Sequence, residues 1–187
     1  MKDWIVEIRF SVGSKGKKVW GDGFAFWFTE EDFSEGAAFG RNPKFTGLGI
    51  FFDTFQNKKS STKFPYISAM VNDGTKTYKH HDDGVSTSIG GCSVDFRNAE
   101  HPTRAKISYI SKNLQVFTDI DGEDNWSLCF QVPDVDLITE GFLGFSAATG
   151  QAHDIHKLLS VTTVQVNPIS GKSYLNVKKT NLRIILI

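Results

Sequence analysis

Two short stretches hold the residue types that could bind a calcium ion. The first, FFDTFQN, spaces Asp53, Phe55 and Asn57 two residues apart, so Asp53 and Asn57 share one face of an extended segment. The second, TYKHHDDG, offers a further carboxylate from Asp82 or Asp83. Calcium prefers carboxylate, amide and main-chain carbonyl oxygens. We therefore predict a calcium site formed by Asp53, the carbonyl of Phe55, Asn57 and one of these two aspartates.

Residue spacing disfavours other kinds of site. His80 and His81 are adjacent, and on a strand they would point to opposite faces, which does not suit zinc. The stretch DIDGED has its glycine at the fourth position instead of the sixth that an EF-hand loop requires, so we interpret it as a hairpin turn. The sequence lacks the GxSxG motif of a serine nucleophile and the paired strand carboxylates of a glycosidase. A binding protein is therefore favoured over an enzyme.

Composition limits the classes of partner. Lysine plus arginine and aspartate plus glutamate both number 21 in the 187 residues, so the formal net charge is zero. Nucleic-acid binders normally carry a basic excess, and we predict no nucleic-acid partner. The start of the chain does not resemble a signal peptide, and its apolar runs fall short of the roughly 20 residues that span a membrane. Cys92 and Cys129 are compatible with free thiols or with one disulfide in an oxidising compartment.

Short apolar runs between glycine- and aspartate-rich turns predict about ten strands. The first run alternates from Trp4 onwards, whereas GFAFWFT at 23–29 is almost continuously apolar, as in a strand buried on both faces. Asp73-Gly74 predicts a tight hairpin with a second strand directly after it. The only helical candidate is a short one capped by Thr29. This pattern predicts an all-β fold, an antiparallel sandwich or barrel.

An ordered set of motifs resembles one known family. GDGFAFW, FTGLGIFFDTFQN, FPYISAMVNDGTKTYKHHDDG, GGCSVDFRN, DIDGEDNWSLC and GFSAATG follow one another between Asp3 and Thr163. Together they are similar to the L-type, legume-like lectins of the early secretory pathway. Members of that family are membrane-anchored, calcium-dependent receptors for high-mannose N-glycans on cargo glycoproteins. The resemblance implies a concanavalin-like β-sandwich, the legume-lectin jelly roll.

The resemblance also implies roles for individual residues. In this family a calcium ion fixes an asparagine that contacts the sugar, and an aspartate, a histidine and a glycine-led loop complete the sugar site. The implied calcium ligands are Asp53, the carbonyl of Phe55, Asn57 and Asp83. The implied carbohydrate-binding residues are Asp22, Asn57, His80, Gly150 and Gln151. Cys92 and Cys129 match the family's disulfide pair.

The resemblance finally suggests how the domain is delimited. We expect residues 1–166 to form the lectin-like carbohydrate-binding domain, without the family's N-terminal strands, and residues 167–187 to be an unmatched tail. The implied location is the lumen of the endoplasmic reticulum, the ER–Golgi intermediate compartment and the Golgi, with membrane association only through segments absent from this chain. Two alternatives stay open: a lectin-like interaction domain without sugar binding and, less favoured, a polysaccharide hydrolase on the same fold.

Overall fold

The protein is built almost entirely from β-strands. The computed structural model describes residues 2–14 and 20–166 with their side chains, together with the backbone of 182–186. Within these ranges the strands are β1 (Trp4–Gly13), β2 (Gly23–Thr29), β3 (Thr46–Asp53), β4 (Tyr66–Asp73), β5 (Gly90–Ser93), β6 (Thr103–Ile110), β7 (Asn113–Asp119), β8 (Ser127–Val132), β9 (Phe142–Ala148), β10 (Ile155–Gln165) and β11 (Leu182–Leu186). A 3₁₀ turn, His80–Asp82, lies between β4 and β5.

The strands form two sheets that pack face to face. The five-stranded sheet has the order β10-β1-β6-β7-β8, and the six-stranded sheet has the order β11-β9-β2-β3-β4-β5. Neighbouring strands are antiparallel except β11, which runs parallel to β9 with Leu182 opposite Leu143. This architecture confirms the predicted all-β sandwich. Of the tail expected at 167–187, only β11 lies within the described residues.

The core lies between the sheets because alternate residues of the facing strands are apolar. On β1, Trp4, Val6, Ile8 and Phe10 point inward and are almost fully buried, as the alternation predicts. The ring of Trp4 meets that of Phe28 edge-on, with the centroids 5.6 Å apart. Each fully buried aliphatic or phenylalanine side chain contributes about 1.5–3 kcal/mol relative to an exposed one. The two sheets therefore give the loops at their ends a firmly packed base.

β2 is buried on both faces, as its continuous apolar run predicts. Phe24, Phe26 and Phe28 face the other sheet, whereas Ala25 and Trp27 face a second apolar cluster on the outer side of the six-stranded sheet. This second cluster comprises Ala25, Trp27, Ala38, Phe39, Phe45, Phe51, Met70 and Tyr78. The segment between β2 and β3 supplies part of it and so covers that side of the sheet.

Two local predictions are wrong. The segment after Thr29 forms no helix, and the Thr29 hydroxyl donates instead to the carbonyl of Glu31. No strand follows Gly74 directly, because the Asn72 side chain takes over the backbone pairing: it donates to the carbonyl of Lys76 and accepts from the Lys76 N–H. In the ranges that the structure describes, no helix is long and apolar enough to cross a membrane.

A disulfide joins the two sheets at one edge. Cys92 lies on β5, at the edge of the six-stranded sheet, and Cys129 lies on β8, at the edge of the five-stranded sheet. Their Cα atoms are 5.4 Å apart, within the usual range for a disulfide. The pairing implied by the family resemblance is confirmed, and free thiols are excluded.

His156 on β10 is half-buried beside an apolar cavity and should make stability depend on pH. The cavity walls include Phe10, Phe24 and Lys157, and Nε2 of His156 has no hydrogen-bond partner among the described residues. Burial lowers the pKa of His156, with Asp154 opposing the shift. The unfolded chain therefore takes up a proton near pH ~6.5, whereas the folded chain does so only at lower pH.

We expect His156 to lower the free energy of unfolding as the pH drops below ~6.5, by at most about 1.4 kcal/mol per pH unit from this one proton. Urea unfolding at several pH values, with calcium absent, measures the slope. His156→Leu should remove this contribution from the slope, while replacement of the exposed His101 with glutamine should leave it in place. Equal slopes for the native chain and His156→Leu would contradict the assignment.

Candidate functional site

Asp53 ends β3 with one carboxylate oxygen unused. The residue is 3% exposed, and its Oδ1 accepts a hydrogen bond from the Phe55 N–H at 2.9 Å. Its Oδ2 is buried and has no hydrogen-bond partner among the described residues. Burying an ionised carboxylate oxygen is costly unless a proton or a cation compensates it. Either a proton or a bound cation at this oxygen would therefore stabilise Asp53.

The 3₁₀ turn brings the second acidic stretch to the first. Asp83 follows that turn in a left-handed conformation, with φ of 57°, and its N–H donates to the carbonyl of His80 at 3.1 Å. Its Oδ1 accepts from the N–H of Asn57 at 2.8 Å and from Nδ2 of Asn57 at 3.0 Å, and its Oδ2 accepts from the Lys58 N–H at 3.1 Å. The two predicted stretches are thus in direct contact, and Asp83 rather than Asp82 makes that contact.

Electrostatics at Asp53 favour a bound cation. Burial raises the pKa of Asp53 well above its ordinary value; the Phe55 N–H opposes this shift, and the nearby carboxylates of Asp83 and Asp22 add to it. Neighbouring carboxylates repel one another, so a divalent cation between them would offset this electrostatic repulsion. The donor set of Asp53, Asp83, the Asn57 amide oxygen and a main-chain carbonyl consists of the hard oxygen ligands that calcium prefers.

A zinc site is not supported. Over the described ranges, no group of three or more histidine, cysteine, aspartate or glutamate side chains is placed to hold a metal ion. An ion at Asp53 and Asp83 would therefore depend on amide and carbonyl oxygens as well. The prediction that His80 and His81 point to opposite faces of a strand is wrong, because both residues lie in a 3₁₀ turn. His81 is exposed.

Asp22 is on the loop before β2 and lies near Asp53. Its carbonyl accepts from the N–H of Thr54 at 3.0 Å and from the Thr54 hydroxyl at 3.3 Å, so it is attached to the residue that follows Asp53. Burial raises the pKa of the Asp22 carboxyl, and His80 opposes that shift, which places the imidazole near this carboxylate. Asp22 and His80 thus border the same space as Asp53.

His80 is oriented by an aromatic side chain. Its ring meets that of Phe39 edge-on, with the centroids 5.9 Å apart, and its Nδ1 is buried with no hydrogen-bond partner among the residues described. Such an atom is available to a ligand or an ordered water. Phe39 belongs to the second apolar cluster and lies more than forty positions before the histidine, so residue spacing along the chain gave no signal for this contact.

Tyr78 lies near Asp53 and Asp83 and belongs to the second apolar cluster. It packs on Phe51, with the ring centroids 4.4 Å apart, and burial raises its pKa, with Asp53 and Asp83 adding to the shift. A Cβ at Gly84 would lie 2.3 Å from the Tyr78 ring, so only glycine fits directly after Asp83. Packing against Tyr78 therefore requires glycine at the end of the HDDG motif. The backbone of Gly84 is also left-handed, with φ of 69°, a conformation that favours glycine.

The loop after β9 also lies beside Asp22, although it comes from the carboxyl-terminal part of the chain. A Cβ at Gly150 would lie 4.0 Å from Oδ2 of Asp22, so this loop passes beside the Asp22 carboxylate. The N–H of Gly150 donates to the carbonyl of Ala152 at 3.0 Å, and Gln151 is exposed between them. Beside Phe55, an open cavity of about 620 Å³ is lined by aromatic and hydroxyl side chains.

Comparison with known proteins gives the family. A model described as the legume-like lectin family matches residues 1–172. The chain belongs to the legume-like lectin family. It is 39% identical over 184 residues to the VIP36-like protein of Homo sapiens, covering 95% of this chain and 53% of that protein. It is also 39% identical over 168 residues to the vesicular integral-membrane protein VIP36 of Homo sapiens, covering 89% of this chain and 47% of the relative.

The structure of this legume-like lectin matches a solved domain closely. The exoplasmic/lumenal domain of VIP36, in a form bound to Ca²⁺ and mannose, superposes with a TM-score of 0.88 at 37% identity, covering 94% of this chain and 73% of that one. Membership of a lectin family confirms the resemblance and the prediction of a binding protein without enzyme activity. The chain spans about half the length of the relatives it matches.

Proposed function

We propose that residues 1–166 form a calcium-dependent lectin domain that binds high-mannose N-glycans on glycoproteins. The observation that carries the proposal is the buried Oδ2 of Asp53, which has no hydrogen-bond partner among the described residues and lies near the carboxylate of Asp83. The proposed calcium ligands are Asp53, the carbonyl of Phe55, Asn57 and Asp83. The proposed sugar contacts are Asp22, Asn57, His80, Gly150 and Gln151.

These residues divide the work of binding a neutral sugar. A bound Ca²⁺ supplies the charge that compensates Asp53 and Asp83. Asn57 is held by its two hydrogen bonds to Asp83, so its amide is fixed before the sugar arrives. Asp22 offers acceptor oxygens to sugar hydroxyls, and His80 offers a ring nitrogen. Contacts to neutral hydroxyls on an open surface give useful affinity only when the protein groups are preorganised.

Relatives support both the ligand and the location. VIP36, whose lumenal domain was solved with Ca²⁺ and mannose, is similar over most of this chain, and its name describes a vesicular integral-membrane protein. We infer that the present domain acts in the lumen of the early secretory pathway on cargo glycoproteins.

A glycan titration with and without calcium tests the proposal. At pH 7.4 with calcium, the native chain should bind methyl α-D-mannopyranoside and, more tightly, a high-mannose N-glycan; a chelator should abolish both. His80→Ala should lower mannose affinity by about tenfold or more, as expected when a hydrogen-bonding group of a small polar site is lost. Replacement of the exposed His101 with alanine serves as the matched control.

Two results would reject the function. Absence of glycan binding at saturating calcium would indicate a lectin-like domain that acts through other contacts. Binding that persists unchanged after chelation would show that the ion has no part in holding the sugar site. In either case the protein would keep the lectin fold but would have a function other than the one proposed.

A further inference from the structure

The loop that carries Gly150 and Gln151 is bonded at both ends to the Gly21–Asp22 peptide. At the start of the loop, the N–H of Asp22 donates to the carbonyl of Ala148 at 3.3 Å. At its end, the N–H of Asp154 donates to the carbonyl of Gly21 at 2.9 Å. Asp22 and the loop are therefore one structural unit, although they come from opposite ends of the domain.

Arg97 holds the Asp154 end of this unit. The Asp154 side chain is fully buried, at 0% exposure. Its carboxylate accepts from Nε of Arg97 at 2.9 and 3.1 Å, from Nη2 of Arg97 at 3.0 Å and from the Ser14 hydroxyl at 3.0 Å. A forked arginine–carboxylate pair fixes orientation as well as distance. Asp154 therefore cannot move without breaking an ion pair whose carboxylate is fully buried.

Arg97 is in turn anchored to the frame of the sandwich. Its backbone forms a parallel bridge with Val12 near the end of β1, and the N–H of Asn98 donates to the Val12 carbonyl at 2.8 Å. The preceding residue, Phe96, is buried in the core between the sheets. The guanidinium also lies over the ring of Trp20, 4.3 Å from its centroid. Since Trp20 directly precedes Gly21, one arginine contacts Asp154 at the end of the loop and the residue next to the Gly21–Asp22 peptide.

We propose that Arg97 is a positioning residue for the sugar site. It holds Asp22 and the Gly150–Gln151 loop in a fixed relation through Asp154 and Trp20. The inference rests on the proposed function, because it assigns a supporting residue to the proposed sugar contacts. The calcium ligands are arranged differently: Asp83 is bonded to Asn57 and Lys58, and this set of bonds does not include Arg97 or Asp154 among the described residues. Loss of Arg97 should therefore affect sugar binding and spare calcium binding.

The test measures calcium and sugar binding separately by calorimetry on the full chain. Calcium alone is titrated first, and methyl α-D-mannopyranoside is then titrated at saturating calcium. Arg97→Gln should lower mannose affinity by about tenfold or more, since the hydrogen bonds of a charged pair are lost, while calcium affinity stays within about twofold. Ser14→Ala removes one hydroxyl from the same network and should give a smaller loss of mannose affinity, about two- to threefold.

Arg104→Gln is the matched control. Arg104 makes the same kind of pair with Asp119 and Asp124, but at the β7–β8 turn of the five-stranded sheet. It should keep native mannose affinity even where the melting temperature falls as much as in Arg97→Gln. If Arg97→Gln is too unstable to assay, Ser14→Ala decides alone: unchanged mannose affinity then overturns the inference.

Failure of the inference and failure of the proposed function give different results. Equal mannose affinity in the native chain and Arg97→Gln, or a parallel loss of calcium affinity, would overturn the positioning role while leaving the lectin function intact. A native chain that binds calcium but no mannose would overturn the proposed function itself.

Discussion

Replacing Asp53 with asparagine is expected to abolish calcium binding and mannose binding together. The substitution keeps the size of the side chain and removes the charge from a residue that is 3% exposed and lies near Asp83. Without its carboxylate the proposed site loses a central ligand, and the mannose site loses the ion that would bind beside Asn57. Calorimetric titrations with calcium and with methyl α-D-mannopyranoside measure both effects.

Thermal unfolding gives a second readout for the same variant. Calcium at a hundredfold excess over its dissociation constant should stabilise the native chain by about 2.7 kcal/mol and leave Asp53→Asn unaffected. Without calcium, Asp53→Asn should be at least as stable as the native chain, because a buried uncompensated charge has been removed. Asp73→Asn, at an exposed position at the end of β4, should behave like the native chain. Retained calcium stabilisation in Asp53→Asn would show that the ion binds elsewhere.

Removal of the disulfide is expected to give the largest loss of stability. The bond closes a loop with a sequence separation of 37 residues, and the chain-entropy account assigns roughly 3–4 kcal/mol to a loop of that length. The Cys92→Ala/Cys129→Ala variant should show that loss in urea unfolding. Reductant should lower the unfolding midpoint of the native chain and leave that of the variant unchanged. A variant as stable as the native chain would mean that sheet packing alone holds this edge.

Sequence patterns predicted the strands that have a clear apolar period. On β1 the apolar residues of the alternating pattern are the buried ones, and on β2 every residue of the continuous apolar run is buried. The DxFxN spacing drew attention to Asp53 and Asn57 because it reflects ordinary ligand chemistry on an extended segment. The contact between Asn57 and Asp83 required the family resemblance as well, since composition alone left Asp82 and Asp83 equivalent.

Other features have no local signal. β5 reads GGCS, four residues with two glycines and no apolar alternation, and it forms because β4 pairs with it and Cys92 is bonded across the sandwich. The strand expected after Gly74 fails because one side chain, Asn72, satisfies the backbone groups that a hairpin partner would have taken. The pair of Arg97 and Asp154 joins residues 57 positions apart, and nothing near either residue predicts it.

The hydrogen bonds around the site differ greatly in sequence separation, and from this we expect an order of assembly. The bond between Asn57 and Asp83 spans 26 residues, whereas the bond between Ser14 and Asp154 spans 140. Contacts close in sequence have less chain entropy to overcome and form earlier than distant ones. The proposed calcium ligands can therefore come together while the chain is still incomplete at its carboxyl end. The sugar-facing unit closes only when β9 and β10 are in place, so a newly made chain would acquire affinity for the metal before it acquires affinity for the glycan.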